Sequence, residues 1–310
     1  MIFGFEQVKN KPLFSRNLSK WGSLQRVESR EFSYLLVPAP FADGAQKSRH
    51  RGFQDVWGQM KTAAEQNGFD IIDRQDNPFA ESLNTREYFD TPDFALRNKG
   101  FLIRVATDYV DGDPKNTCTM VVKESSADDF QRVFQSTLEI DPSFTGVTGI
   151  EENVYINRAF ELDNSLEIAK KVTLEPGTLG DRTLGDFGKV IPQLLEQGLP
   201  AATALSRHMT YSYDVKPGHV VLTPSCKARI KLELWTREPN AHPFVGDLSF
   251  EVMTDPYDDM ADVHTQAEQF SLTVLGQHCR EIAFSDAARW GGSKTRLLLG
   301  LPDTVGDTHE

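Results

Sequence analysis

The chain is too poor in cysteine for a disulfide framework or a zinc site. Its three cysteines, Cys118, Cys226 and Cys279, lie far apart and in no metal-ligand spacing. They read as buried free thiols of a reducing compartment. No apolar run approaches the ~20 residues of a membrane-spanning helix. The opening MIFGFEQVKNKPLF lacks the charged-then-apolar order of a signal sequence. A cytoplasmic protein with no membrane partner is expected. Positive charge is also scarce: 33 Lys and Arg against 45 Asp and Glu give a net charge of -12. That argues against a nucleic-acid partner, which would need a basic face. It does not forbid an inward-facing basic channel, because a local field can oppose the global sign.

What is present suits a globular protein. Hydrophobic residues make up 39% and charged residues 25% of the 310 positions, enough for a substantial core. Residues 50–68 place Phe53, Val56, Trp57, Met60 and Ala64 at helical spacing, with Asn67-Gly68 as a stop. Residues 259–278 repeat the pattern with Val263, Ala267, Phe270, Val274 and Leu275. Elsewhere the period is two. In 229–236, Arg229, Lys231, Glu233 and Trp235 share one face and Ile230, Leu232 and Leu234 the other. The Ile/Leu face predicts core, and the charged face predicts solvent or a wet lumen. Residues 24–38, 117–123, 130–141, 204–215, 218–223 and 248–253 also read as strands. The glycines and prolines of 143–200 predict helices and surface connections there.

The most informative stretch runs through Tyr88-Phe89-Asp90-Thr91-Pro92-Asp93, Leu96-Arg97 and Gly100 to Arg104. It reads as strand, turn, strand. Asp90 and Pro92 supply turn chemistry, and Gly100 can take positive φ. Arg104 is a cation inside an apolar run, costly to bury unless it meets water, an anion or a carboxylate.

This stretch resembles the core of the CYTH family, the triphosphate tunnel metalloenzymes, whose wording is close to YFDTPD-x-x-L-R-x-x-G-x-x-L-R-x-R. The resemblance implies an α+β fold: a closed antiparallel β-barrel, or tunnel, with flanking α-helices. The expected layout is one domain over 25–301, an arm at 1–24, a helical or loop insertion at about 143–200, and a tail at 302–310. The family's Glu-x-Glu-x-Lys strand falls on Ser29, Glu31 and Ser33, or in a shifted register on Glu28 and Arg30. Lys123 matches the lysine of the T-x-K strand, Arg132 an arginine strand with Glu139 as its acid, and Arg207 or His208 a basic position before Tyr211. Glu251 keeps one acid of a Glu-x-Glu pair, and Ser293-Lys294 resembles the closing Ser-Lys. Ser29, Ser33, Ala106 and Met253 stand where the family carries charge.

By this resemblance, Arg104, Lys123, Arg132, Arg207 and Lys294 would hold a small anionic, triphosphate-containing ligand. Glu31 and Glu251, with Glu139, would hold Mg2+ or Mn2+. Glu31, Arg104, Lys123 and Glu251 would serve catalysis. The implied activity is metal-dependent hydrolysis of inorganic triphosphate or a nucleoside triphosphate. The alternatives are non-catalytic binding of an anion in a degenerate tunnel and, as a lesser one, an adenylate-cyclase-type reaction. A triphosphate needs many cations converging from different walls, and a barrel supplies them because every second residue points inward.

Overall fold

Alternating side chains dictate a wall with two different faces, and in this protein the wall closes on itself. A computed structural model describes residues 27–41, 44–127, 129–156, 161–175, 177–253, 260–282 and 293–301. The expected arm at 1–24 and tail at 302–310 lie outside the described residues. The strands are β1 (Ser29–Leu36), β2 (Ile71–Asp73), β3 (Ser82–Asp90), β4 (Phe101–Val110), β5 (Asp113–Pro114), β6 (Cys118–Ser126), β7 (Gly146–Ile156), β8 (Leu162–Leu174), β9 (Ser206–Thr223), β10 (Cys226–Thr236) and β11 (Pro243–Met253). Nine of them run β10-β11-β1-β7-β8-β6-β4-β3-β9, and β9 pairs back to β10. The result is a closed barrel with flanking helices. The β1–β7 pair is parallel, so the barrel is mixed rather than wholly antiparallel.

The apolar halves of the strands face outward beneath helices. On one side, Phe32, Tyr34, Ile230, Leu232, Leu234, Leu248 and Phe250 form a core with helix α1 (Gln46–Gln66). Phe270, Val274 and Leu275 join the same core, from π-helical turns that follow a further helix at Ala261–Gln269. The other outer core gathers Phe89, Ile103, Val105, Met120, Val122 and Val172 under Leu184, Phe187 and Leu194. Full burial of each such side chain stabilises the fold by roughly 1.5–3 kcal/mol.

The turn after β3 forms as its residues dictate. The Asp90 carboxylate accepts the backbone N–H groups of Thr91 (2.7 Å), Leu96 (3.0 Å) and Arg97 (2.9 Å). Gly100 then takes φ +84°, where an added Cβ would meet the Ser125 carbonyl oxygen at 2.9 Å.

Two expectations are corrected. Residues 146–156 and 162–174 are barrel strands β7 and β8, not helices, and among the described residues the helical insertion shrinks to α3 (Leu184–Gly188) and a 3-10 turn at Pro192–Gln197. Strand β8 has a period of two, with Leu166, Ile168, Val172 and Leu174 outward and Glu167, Ala169 and Lys171 inward. Its buried charges obscure the apolar pattern. Residues 130–141 are not a strand either. Asp129 caps a short helix, α2 (Phe130–Phe134), through the Arg132 N–H at 3.1 Å. Phe130, Val133 and Phe134 pack it onto Leu166 and Ile168. In chain order the last two helices are α4 (Ala261–Gln269) and α5 (Lys294–Leu299). Helix α5 closes one end of the barrel, where Leu298 packs on Leu35, Tyr88, Leu102, Trp235 and Val245.

Candidate functional site

The inward positions enclose a cavity of about 320 Å³. Cations reach it from five different strands and one helix: Arg86 on β3, Arg104 on β4, Lys123 on β6, Lys171 on β8, Lys231 on β10 and Lys294 on α5. Strand direction alone would scatter these residues across two hundred positions of sequence. Closure of the barrel brings them to one lumen.

Most of this positive charge is matched by buried acids. Glu233, fully buried, accepts hydrogen bonds from Ser212 Oγ (2.8 Å), Lys294 Nζ (2.5 Å) and Arg86. Lys294 also reaches Asp247 Oδ2 at 2.8 Å. Burial opposes ionisation of Glu233, but Arg86, Lys231 and Lys294 together hold its carboxyl well below the usual carboxylate range. Burial raises Asp247 instead, with Lys294 as partial compensation. Burial also works against the charge of Lys294, yet Asp247 and Glu233 outweigh it and raise its pKa. On the opposite wall Lys123 donates to Glu167, and Lys171 donates to Glu151 at 3.0 Å.

Arg104 differs from the other cations. Among the described residues no carboxylate pairs with it, and its Nε is buried without a partner. Two more buried donors of the lining, Asn153 Nδ2 and Trp235 Nε1, also lack acceptors. A lumen with spare donors is complementary to a ligand rich in acceptor oxygens.

The lining carboxylates are Glu31 on β1, Glu151 on β7, and Asp247 and Glu251 on β11. Glu31 and Glu251 are register partners and both line the cavity. The register that puts Ser29, Glu31 and Ser33 inward is the one adopted. Arg30, from the shifted register, points outward to Glu152 at 2.8 Å and Glu268 at 3.3 Å. Among the described residues, no three His, Cys, Asp or Glu side chains converge as a ready-made metal cage.

Of the residues singled out by sequence, the structure brings Glu31, Arg104, Lys123, Glu251 and Lys294 to one cavity. It places three others elsewhere. Arg132 sits on α2, where its guanidinium donates to the Ser125 carbonyl and its Nε lies 3.7 Å from Glu124. Arg207 is on the outer face of β9, half exposed, donating to Glu87 at 2.9 Å. Glu139 lies exposed in the connection before β7, its N–H donating to Gln193 Oε1 at 3.0 Å. His208, the alternative to Arg207, lies beside the Phe94 ring and does not line the cavity.

Sequence reasoning missed Arg86, Glu151, Asn153, Glu167 and Lys171. Arg86 was within reach, because it lies two residues before Tyr88, whose register partner is Arg104. The other four lie on β7 and β8, in the segment read as helical. Lys231 and Glu233 were flagged by the alternation of β10.

No protein-family model matches the chain, and no curated protein matches it. Solved structures do. A putative adenylyl cyclase from Hippeastrum, described as having a dominant triphosphatase activity, is 12% identical over 91% of this chain and 100% of that chain, at a TM-score of 0.45. A putative adenylate cyclase from Bacillus halodurans is 11% identical over 80% and 90%, at 0.36. One from Vibrio parahaemolyticus is 12% identical over 80% and 91%, at 0.27.

Proposed function

We propose that the protein binds a triphosphate-containing small molecule in the barrel cavity and hydrolyses it with a divalent cation, Mg2+ or Mn2+. The observation that carries this reading is the convergence of six cations on one cavity in which the buried donors Arg104 Nε, Asn153 Nδ2 and Trp235 Nε1 have no acceptor among the described residues. Phosphate oxygens are acceptors only, several to a group, and charge-assisted donors to them are the strong kind. Arg104 offers a planar fork that matches a phosphate edge. Lys123, Lys171, Lys231 and Lys294 approach from other walls and fix the ligand's position along the lumen. The same cations would stabilise charge on the departing phosphate.

Mg2+ bound to a polyphosphate needs only one or two protein carboxylates, the ligand and water supplying the rest. Glu31 and Glu251, opposed on paired strands, fit that requirement and would hold it. When bound, such an ion polarises the phosphoryl group and offsets its charge.

A second reading, binding without turnover, is favoured by the thin donor set: of the four lining carboxylates Glu151 and Asp247 are paired with lysines, which leaves Glu31 and Glu251, with Ser33 and Met253 at neighbouring positions of their strands. Phosphate release from inorganic triphosphate and ATP, with Mg2+ or Mn2+, separates the two when run beside a thermal-shift assay. Hydrolysis predicts release that Arg104→Gln abolishes. A raised melting temperature without release selects the binding reading, and formation of cyclic AMP selects the cyclase-type reaction. No release and no shift with any anion would remove the anion site itself.

A further inference from the structure

The wall formed by β6, β7 and β8 sets two acids side by side: Lys123 pairs with Glu167 and Lys171 with Glu151. Glu167 is fully buried. It accepts from Lys123, while its second oxygen, Oε2, receives no donor from the described residues. Its register partner across the β7–β8 ladder is Glu151. On the lumen face of two neighbouring strands the two carboxylates repel one another, and the full burial of Glu167 adds to the cost of its charge, so a proton on Glu167 is favoured over ionisation of both.

We propose that Glu167 is an internal counter-ion for Lys123 that a bound anion replaces, so that ligand binding in the tunnel is coupled to proton uptake by the Glu151–Glu167 pair. This rests on the anion-binding reading of the same cavity.

The surroundings of Glu167 give the direction. Lys123 faces it from β6 and Glu151 from β7. Lys171, on its own strand, is turned to Glu151. Arg104 on β4 acts on it through Lys123. Helix α2 packs on the outer side of β8, and its Arg132 is turned to Glu124 and the Ser125 carbonyl. Burial pushes Glu167 up to about 7, with Lys123 opposing and Glu151 reinforcing the rise. Burial also opposes ionisation of Glu151, but Lys123 and Lys171 outweigh it and keep it ionised. An anion arriving at Lys123 and Lys171 adds negative charge beside the pair and favours the protonated form of Glu167.

The sign follows. Below about pH 7 Glu167 is already protonated, and Lys123 is free to meet the ligand. Above it, each binding event takes a proton from solution, so affinity falls by up to about tenfold per pH unit. Glu167 thereby sets how much ligand charge the lumen accepts at a given pH.

Calorimetric titration of inorganic triphosphate into the intact protein, at pH 6.5 to 8.5 in buffers of different ionisation enthalpy, tests this. The ligand's own protonation is measured separately and subtracted. Wild type should take up about one proton more than Glu167→Gln above pH 7. Its log Kd should rise more steeply with pH by about one unit per unit, and Glu167→Gln should bind roughly tenfold more tightly than wild type at pH 8.5. Equal proton counts and parallel slopes would overturn the coupling while leaving anion binding intact. Should the variant fail to fold, the wild-type proton count decides alone: none beyond the ligand's own overturns the proposal. Absence of binding heat at every pH, with no thermal shift, would overturn the anion site as well.

Discussion

Two arginines in this barrel wall meet opposite fates. Arg30 on β1 points outward beneath α4 and is fully buried. It pairs with Glu152 at 2.8 Å and Glu268 at 3.3 Å, and Asn164 Nδ2 holds Glu152 at 2.6 Å. Arg104 on β4 points inward and has no carboxylate partner among the described residues. The difference follows from what lies beyond each face. Outside the wall there is packed protein, so a charge there must bring its counter-charge with it. Inside there is a cavity, and a charge can be left for water or a ligand to complete. A cation that is part of the structure and one available to a ligand are therefore distinguished by the face they occupy, not by residue type.

The sharpest way to break this comparison is Arg30→Ala. It leaves Glu152 buried opposite a void, and a loss of about 3–5 kcal/mol in urea-induced unfolding is expected. A loss below about 1 kcal/mol would mean that the outward pair is not a structural requirement. Arg104→Gln comes next. Triphosphate binding should weaken roughly 10- to 100-fold, the value of a charged hydrogen bond or two. Stability should stay within about 0.5 kcal/mol of wild type, because no internal partner is orphaned. Affinity unchanged by calorimetry would take Arg104 out of the ligand site. The smallest effect is expected from Arg207→Ala. Its pairing with Glu87 is half exposed, worth about 0–1 kcal/mol. Triphosphate affinity should be unaltered, and a fall of tenfold would return Arg207 to the lumen.

The two ionic groups of the lumen differ in the same spirit. Around Glu233 and Asp247, three cations serve two acids, and Glu233 stays ionised despite full burial. Around Glu151 and Glu167, Lys123 and Lys171 lie beside two acids on neighbouring strands, and burial with the neighbouring acid raises the pKa of Glu167. A surplus of cations makes a fixed charge, whereas crowded acids make one that titrates.

How much of this was legible depended on local pattern. The alternation of β10 was readable because Ile230, Leu232 and Leu234 are uninterrupted, so the charged face stood out against them. Arg104 was readable as a charge inside an apolar run. Strands β7 and β8 were not, since inward Glu151, Glu167 and Lys171 and outward Lys170 leave no clean apolar face. Arg132 was misplaced because Asp129, a side-chain cap, and the i, i+3, i+4 spacing of Phe130, Val133 and Phe134 turn that segment into a helix. Arg207 was misplaced by one step of pleat, which is enough to reverse a side chain from lumen to outer face.

Local chemistry in the chain determined the turn at Asp90, the helix at 46–66, the strand character of most of the wall and the presence of cations within it. Barrel closure alone decided which cations converge, which acids neutralise them and that Arg104, among the described residues of the lining, is left without a carboxylate. Those outcomes depend on register and on contacts between residues far apart in sequence, and a period of two says which residues share a face without saying what that face encloses.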